Sequence, residues 1–363
     1  MPALKQIDVA LADRSYSIEI GQGIFSRLAP RIRDRFEASH VLVVSDVSVN
    51  RWSQQAIQDL QAVGIRADRL EVPSGETSKS VERLNLLWQE FQATGADRTT
   101  VVMAIGGGVA GDLAGFAAAT YARGLRFIQV PTTLLAMVDS SVGGKTGINL
   151  PTSKNMVGAF WQPMGVMIEL ETLETLPRRE YLSGLAEVAK YGVIMDEDFF
   201  AFLESNTSAV LERHPDVLIP LVARCCELKA EVVAADERET SGRRAILNYG
   251  HTFAHAFENL LGYGTILHGE AVSIGMHCAA RLATRLGRVS TEFVERQKQL
   301  LLALGLPVEM PKLDSKAVLA TMQRDKKVAH GKLRFILPDR LGKVSLVDDV
   351  ESEALIETLE QET

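Results

Sequence analysis

The chain has 363 residues, which on the usual ~100–200 residues per domain implies about two domains. Hydrophobic residues make up 46% and charged residues 23%, which excludes a disordered chain, and a formal charge of −7 offers no basic footprint for nucleic acid. No stretch approaches the ~20 apolar residues of a membrane span, the first 21 residues hold no signal-type run, and Cys225, Cys226 and Cys278 lack disulfide spacing, so a reducing cytoplasm is the expected location.

The first half alternates two textures. Val41–Ser45 is a short apolar run of the kind a buried parallel strand needs, and the spacing predicts a helix over Trp52–Val63. A second strand is expected at Arg69–Val72, a helix at Val81–Ala93, and a third strand at Thr100–Ile105 leading into Gly106-Gly107-Gly108. An Ala-rich helix follows at Asp112–Ala122, then a strand at Phe127–Val130 ending in Pro131-Thr132-Thr133. Such alternation predicts an α/β domain with a parallel, doubly wound, Rossmann-like sheet, whose ligands bind outside the carboxyl ends of the strands. From Arg178 the helical period dominates, over Glu180–Val193, Asp196–Asn206, Val217–Asp236, Phe253–Leu261, Glu270–Leu286 and Thr291–Leu304. We therefore expect an α/β domain over 1–176 and an all-α domain, mainly helical throughout, over 177–363, with mixed strand and helix returning only in the tail from about Leu333.

Gly106, Gly108 and Gly111 satisfy G-x-G-x-x-G between a predicted strand and a predicted helix. Without a Cβ the backbone can approach a diphosphate, and a helix N-terminus offers free N–H groups to it. A tight turn with no ligand would use glycine as well, and the customary acidic residue ~20 positions on is missing. Asp46, at the end of the first strand, could hold a ribose instead; Ser74-Gly75-Glu76 ends another strand in the same way.

His251 and His255 stand at i and i+4 in Asn248–His255 and share a helix face, a familiar beginning of a zinc site. His268 follows thirteen residues after His255, and Glu187 lies among small and apolar neighbours where a carboxylate needs a cation. Spacing does not say which three of these four bind a metal. Cations also gather at the motifs: Arg123, Lys145, Lys154, Lys190 and Arg244. In an acidic chain that pattern points to an anionic substrate. Gly143-Gly144-Lys145-Thr146 ends like a phosphate-binding loop, but the full pattern needs glycine where Asp139 stands, which excludes ATP hydrolysis of that type.

Together these segments resemble the 3-dehydroquinate synthase family. The matching stretches are Gly106–Asp112, Pro131–Ala136, Val138–Gly147, Lys154-Asn155 with Phe160–Pro163, Gly184–Gly192, Asp236–Glu239, Leu247–His255 and Leu267–Ala271, in the family's order from about residue 40 to 338. The chain departs from the family at Ala254, where glycine is usual, and between Glu239 and Asn248, one residue longer.

The resemblance implies roles that spacing alone does not. Glu187, His251 and His268 match zinc (or cobalt) ligands, which makes His255 a substrate-side residue. Asp46, Ser74, Gly75, Glu76, Thr77, Ser78, Lys79, Gly107, Gly108, Val109, Ala110, Gly111, Asp112, Thr132, Thr133, Lys145, Lys154, Thr172, Leu173, Glu174 and Thr175 match NAD-binding positions. Asp139, Asn155, Lys190, Lys229, Arg244 and Asn248 match residues around substrate. Arg123 matches a residue that reaches the partner subunit's site, implying a homodimer, and one of Lys326 and Lys327 should also touch substrate. The family's substrate is 3-deoxy-D-arabino-heptulosonate 7-phosphate, which is oxidised transiently, loses phosphate, is reduced again and closes by an intramolecular aldol reaction. Lys154 and Lys190 suit the phosphate, and Lys229 and Arg244 the carboxylate. A cyclase for a sugar phosphate without a carboxylate would not need the latter two, and a metal-dependent alcohol dehydrogenase would accumulate NADH.

Overall fold

The computed structural model describes residues 4–151, 153–262, 264–326, 333–348 and 350–360. In chain order the first elements are β1 (Leu4–Val9), β2 (Tyr16–Gly21), α1 (Leu28–Phe36), β3 (His40–Asp46), α2 (Asn50–Ala62), β4 (Arg66–Val72) and α3 (Val81–Ala93). Then come β5 (Val101–Gly106), α4 (Gly108–Thr120), β6 (Arg126–Pro131), β7 (Lys145–Leu150), β8 (Ser153–Phe160) and β9 (Gly165–Glu169). The helices α5 (Arg178–Ile194), α6 (Glu197–Leu211), α7 (Pro215–Ala235), α8 (His251–Leu261), α9 (His268–Arg285), α10 (Thr291–Ala303) and α11 (Ser315–Lys326) follow. The chain closes with β10 (Phe335–Arg340), β11 (Lys343–Val347) and α12 (Ser352–Glu360).

These elements form two compact units, residues 1–176 with 218–238, and 177–217 with 239–363. Most of α7 thus belongs to the first unit, which a single cut after residue 176 does not capture. Sequence period reveals that α7 is a helix but not which neighbour its apolar face will cover.

In the first unit a seven-stranded sheet runs β1-β2-β9-β6-β5-β3-β4. Only the β1–β2 pairing is antiparallel. β5 is buried throughout and β3 from His40 to Ser45, so each reads as a continuous apolar run, as strands covered on both faces must. One face packs Ile32, Trp52, Ala56 and Leu60 against Val43, Met103 and Ile128. The other packs Leu87, Phe91, Leu113 and Phe116 against Leu42, Val44, Val102 and Phe127. The order reverses at β3, with β4 on one side and β5 on the other, so the ligand crevice of such a sheet falls at the ends of β3 and β5. β7 and β8 form a separate antiparallel hairpin. It lies against α4 so closely that a Cβ on Gly115 would come within 2.5 Å of the Thr146 methyl.

The second unit is built on α5 and α9, both buried along most of their length. Glycine permits this density. A Cβ on Gly269 would stand 1.8 Å from the Ser183 carbonyl oxygen, and one on Gly275 2.1 Å from that of Gly250. So α9 touches α5 at one glycine and the start of α8 at the other. The unit is not wholly helical, because β10 and β11 pair as an antiparallel hairpin. Among the described residues no helix is long and apolar enough to cross a membrane.

Candidate metal centre and nucleotide cradle

In the second unit three helices each bring one donor. Glu187 lies mid-way along α5, His251 opens α8 and His268 opens α9. Their ligand atoms all lie within 4.8 Å of one another, and among the described residues no other such cluster occurs. Glu187 is fully buried. Its Oε2 accepts a short hydrogen bond from the Lys190 ammonium, one turn along α5. Its Oε1 has no hydrogen-bond partner. That oxygen instead faces two imidazole nitrogens, His251 Nε2 at 3.6 Å and His268 Nε2 at 3.7 Å.

This set fits a divalent ion. An orphaned buried carboxylate oxygen is costly without a cation. Donors bound at about 2.1 Å in a tetrahedron stand about 3.4 Å apart, so the 3.6 and 3.7 Å separations from Glu187 need only small adjustment. His251 donates its Nδ1–H to the Tyr249 carbonyl at 3.1 Å, which turns Nε2 toward Glu187. Burial, then the Lys190 charge and the two other imidazoles, hold His251 well below the usual histidine range, leaving it neutral with a lone pair to give. For His268 burial also works against the charged form, but Glu258 and Glu187 outweigh it and its pKa is raised.

His255 does not join the triad. It is exposed one turn beyond His251, with the two rings perpendicular and 5.6 Å apart. The His251 and His268 rings are closer, at 5.3 Å. Arg244 and Asn248 lie on the short helical turn Arg243–Asn248 of the same unit. Arg244 is buried with Nε 3.4 Å from Glu239, and Asn248 is exposed. Lys326 ends α11; its side chain, and Lys327, lie outside the described residues.

In the first unit, α4 begins at Gly108, four residues before the expected start, so the glycine run is itself the first turn. A Cβ on Gly106 would lie 3.2 Å from that of Asp46, which puts the glycine turn against the end of β3. A Cβ on Gly111 would meet Gln129 at 2.9 Å, so this third glycine serves helix-to-strand packing. Gly107, Val109 and Ala110 share that turn, and Thr132 binds back to Gly106 through its N–H at 2.9 Å. Thr133 caps the next turn at Ala136. The Asp46 carboxylate accepts from Ser48 N at 2.8 Å and from the Ser74 hydroxyl.

Gly75, Thr77 and Ser78 form the loop and short turn after β4. Lys79, which follows, is buried and ties that loop together: its ammonium meets Asp112 at 2.7 Å, Glu76 at 3.7 Å and the Asn155 side chain. Burial raises the Asp112 pKa in spite of the Lys79 charge. Asn155 has φ 56, a left-handed backbone, and its N–H donates to Asn149 at 2.8 Å. Lys145 and Lys154 lie on the β7–β8 hairpin, and Thr172, Leu173, Glu174 and Thr175 on the turn after β9. Lys229, on α7, donates to Asp139 Oδ1 at 2.7 Å. Lys229 and Arg244, expected to share one carboxylate, therefore sit in different units, and Lys229 already has an acidic partner. Arg123 is exposed with φ 68 just past α4. All three cysteines are buried thiols, with Cys226 pushed up to about 12 by burial, so none is reactive.

Two residues escaped sequence reasoning. Glu258 lies 3.5 Å from His268 Nδ1, and its only signal was its place seven residues after His251, on the same face of α8. The Tyr249 carbonyl left no signal in side-chain spacing.

Two family models match the chain, one described as 3-dehydroquinate synthase N-terminal over residues 69–183 and one as 3-dehydroquinate synthase C-terminal over 184–328. A Rhodopirellula baltica protein named 3-dehydroquinate synthase is 53% identical over 97% of this chain and 96% of its own length. A crystal structure of 2-deoxy-scyllo-inosose synthase with carbaglucose-6-phosphate, NAD+ and Co2+ matches with a TM-score of 0.88 at 29% identity, covering 98% of this chain and 99% of its own. A 2-epi-5-epi-valiolone synthase from Streptomyces hygroscopicus, with NAD+ and Zn2+ bound, matches with a TM-score of 0.88 at 28% identity, over 96% of this chain and 97% of its own.

Proposed function

This chain belongs to the 3-dehydroquinate synthase family, and from that membership we propose that it converts 3-deoxy-D-arabino-heptulosonate 7-phosphate to 3-dehydroquinate and inorganic phosphate. It acts as a carbon–oxygen lyase of the shikimate pathway, dependent on NAD and on a divalent metal, Zn2+ or Co2+. The observation that carries this reading is the orphaned Glu187 oxygen facing His251 and His268, a donor set with the chemistry of a metal site. When bound, the ion supplies Lewis acidity to the substrate's hydroxyls and NAD supplies a reversible hydride sink.

The chain's own residues do the remaining work. Gly107 and Gly108, at the N-terminus of α4, offer bare backbone N–H groups to the cofactor diphosphate, and Asp46 accepts from its ribose. Lys79 keeps Asp112, Glu76 and Asn155 in register beside that cradle. Lys190 neutralises the Glu187 oxygen that faces away from the two imidazoles and, with Lys154, presents positive charge to the phosphate. Arg244 and Lys229 are the cations for the substrate carboxylate, which a guanidinium can take in bidentate fashion. His255, exposed beside His251, and Asn155 order the reacting atoms as phosphate departs, and Asp139 and Asn248 complete the surroundings. One of Lys326 and Lys327 adds a further contact. Holding one flexible molecule through successive geometries is a large part of such catalysis. The same reading makes the protein a cytoplasmic homodimer in which the exposed Arg123 serves the partner subunit's site.

The test is to incubate metal-loaded protein with the heptulosonate phosphate and substoichiometric NAD, following phosphate release and NADH absorbance. Stoichiometric phosphate without lasting NADH supports the reading. Lasting NADH from an alcohol, with no phosphate release, would overturn it.

A further inference from the structure

His268 has two ring nitrogens with two different acidic neighbours. Its Nε2 lies 3.7 Å from Glu187 Oε1 and its Nδ1 lies 3.5 Å from Glu258 Oε1. Glu258 is only 7% exposed, inside α8, where an acidic side chain on an amphipathic helix would ordinarily reach solvent. It follows His251 at i+7 and His255 at i+3 and shares their face, so one helix supplies a donor for the triad and a carboxylate behind a second donor. A neutral imidazole carries one N–H and one lone pair. A carboxylate at Nδ1 draws the N–H there and leaves the lone pair on Nε2, the nitrogen that faces Glu187. The other imidazole is held differently, because His251 Nδ1 meets a neutral backbone carbonyl at 3.1 Å.

We infer that Glu258 is a positioning residue of the metal centre: it fixes the tautomer and ring orientation of His268 and adds a second negative charge near the cation, and so sets how tightly the divalent ion is held. The inference rests on the ligand set of the proposed function. Outer-shell carboxylates of this kind typically govern affinity by 10–100-fold.

The experiment strips the full-length protein of metal, then measures Co2+ affinity by chelator competition and records the Co2+ absorption bands. The proteins are wild type, Glu258→Gln, Glu258→Ala and His268→Ala, each with the melting temperature of its metal-free form. The expected result is roughly 10–100-fold weaker binding in Glu258→Ala, a smaller loss in Glu258→Gln, which keeps an acceptor oxygen, and altered bands in both. Metal-free Glu258→Gln should melt as wild type does, so the shape-conserving variant carries the test if Glu258→Ala fails to fold. Wild-type affinity and bands in Glu258→Gln and Glu258→Ala, with binding abolished in His268→Ala, would overturn the inference and leave the ligand set standing. Undiminished binding in His268→Ala would overturn the ligand set and the inference with it.

Discussion

Gly275→Ala is the sharpest test of how packing in the second unit builds the metal site. The added methyl carbon would stand 2.1 Å from the Gly250 carbonyl oxygen, 0.9 Å inside the 3.0 Å below which real Cβ contacts essentially do not occur. The obstacle is backbone, and it is boxed in, because Gly250 has φ 81 and its own Cβ position would lie 2.8 Å from the Met276 nitrogen. Rotamer change cannot relieve the contact, so α9 must move from the start of α8 by about an ångström. Overpacking of this kind costs about 1–3 kcal/mol, and the helix-propensity gain of alanine over glycine returns about 1 kcal/mol. With a backbone obstacle the cost falls at the upper end, leaving a net loss of about 2 kcal/mol and a melting temperature lower by a few degrees. The larger effect is functional. His251 is the first residue of α8 and His268 the first of α9, so the shift changes their separation. Sites of this type tolerate about 0.5 Å, so metal affinity should fall at least about tenfold. Thermal unfolding and chelator competition measure the two effects. A Gly275→Ala protein with wild-type melting and metal affinity would refute the reasoning.

Other outcomes follow from the same geometry. Lys79→Met strips the mostly buried Asp112 carboxylate of its cation and should destabilise the first unit by about 1–3 kcal/mol in urea unfolding; adding Asp112→Asn should restore part of the loss, and strict additivity would show that the pair is not coupled. His277, buried in α9, is lowered to about 4 by burial and then by Arg281 and Lys298. The unfolded chain therefore binds a proton near pH 6.5 that the folded chain refuses until about 4, and stability should fall by about 3 kcal/mol as pH drops through that window. His277→Gln should flatten the urea midpoint against pH between those limits, and an unchanged slope would count against it. Glu187→Gln should lose tightly bound metal while keeping its fold, checked by metal analysis and circular dichroism.

The sequence made the α/β half legible because buried parallel strands such as β3 and β5 are continuous apolar runs between helices with a clear period. The β7–β8 hairpin was not legible. β8 mixes Ser153, Lys154 and Asn155 with apolar residues, and its pairing depends on Gly147 and Gly158 approaching backbone too closely for any Cβ, at 2.7 and 2.1 Å. The start of α4 was placed late because glycines weigh against helix, while here they admit a packed first turn. At the metal centre, spacing marked four candidates but could not rank His255 against Glu187, and the structure brings Glu187, His251 and His268 together. That choice depends on how α5, α8 and α9 pack, which is set by Gly269 and Gly275 and leaves no periodic trace. The role of Glu258 is not legible in the sequence because its partner lies on another helix.

The most direct test of the account is to locate Co2+ by anomalous diffraction in crystals of the reconstituted protein. The ion should lie about 2.0–2.2 Å from Glu187 Oε1, His251 Nε2 and His268 Nε2 together. An ion bound elsewhere, or held by His255 in place of Glu187, would contradict it.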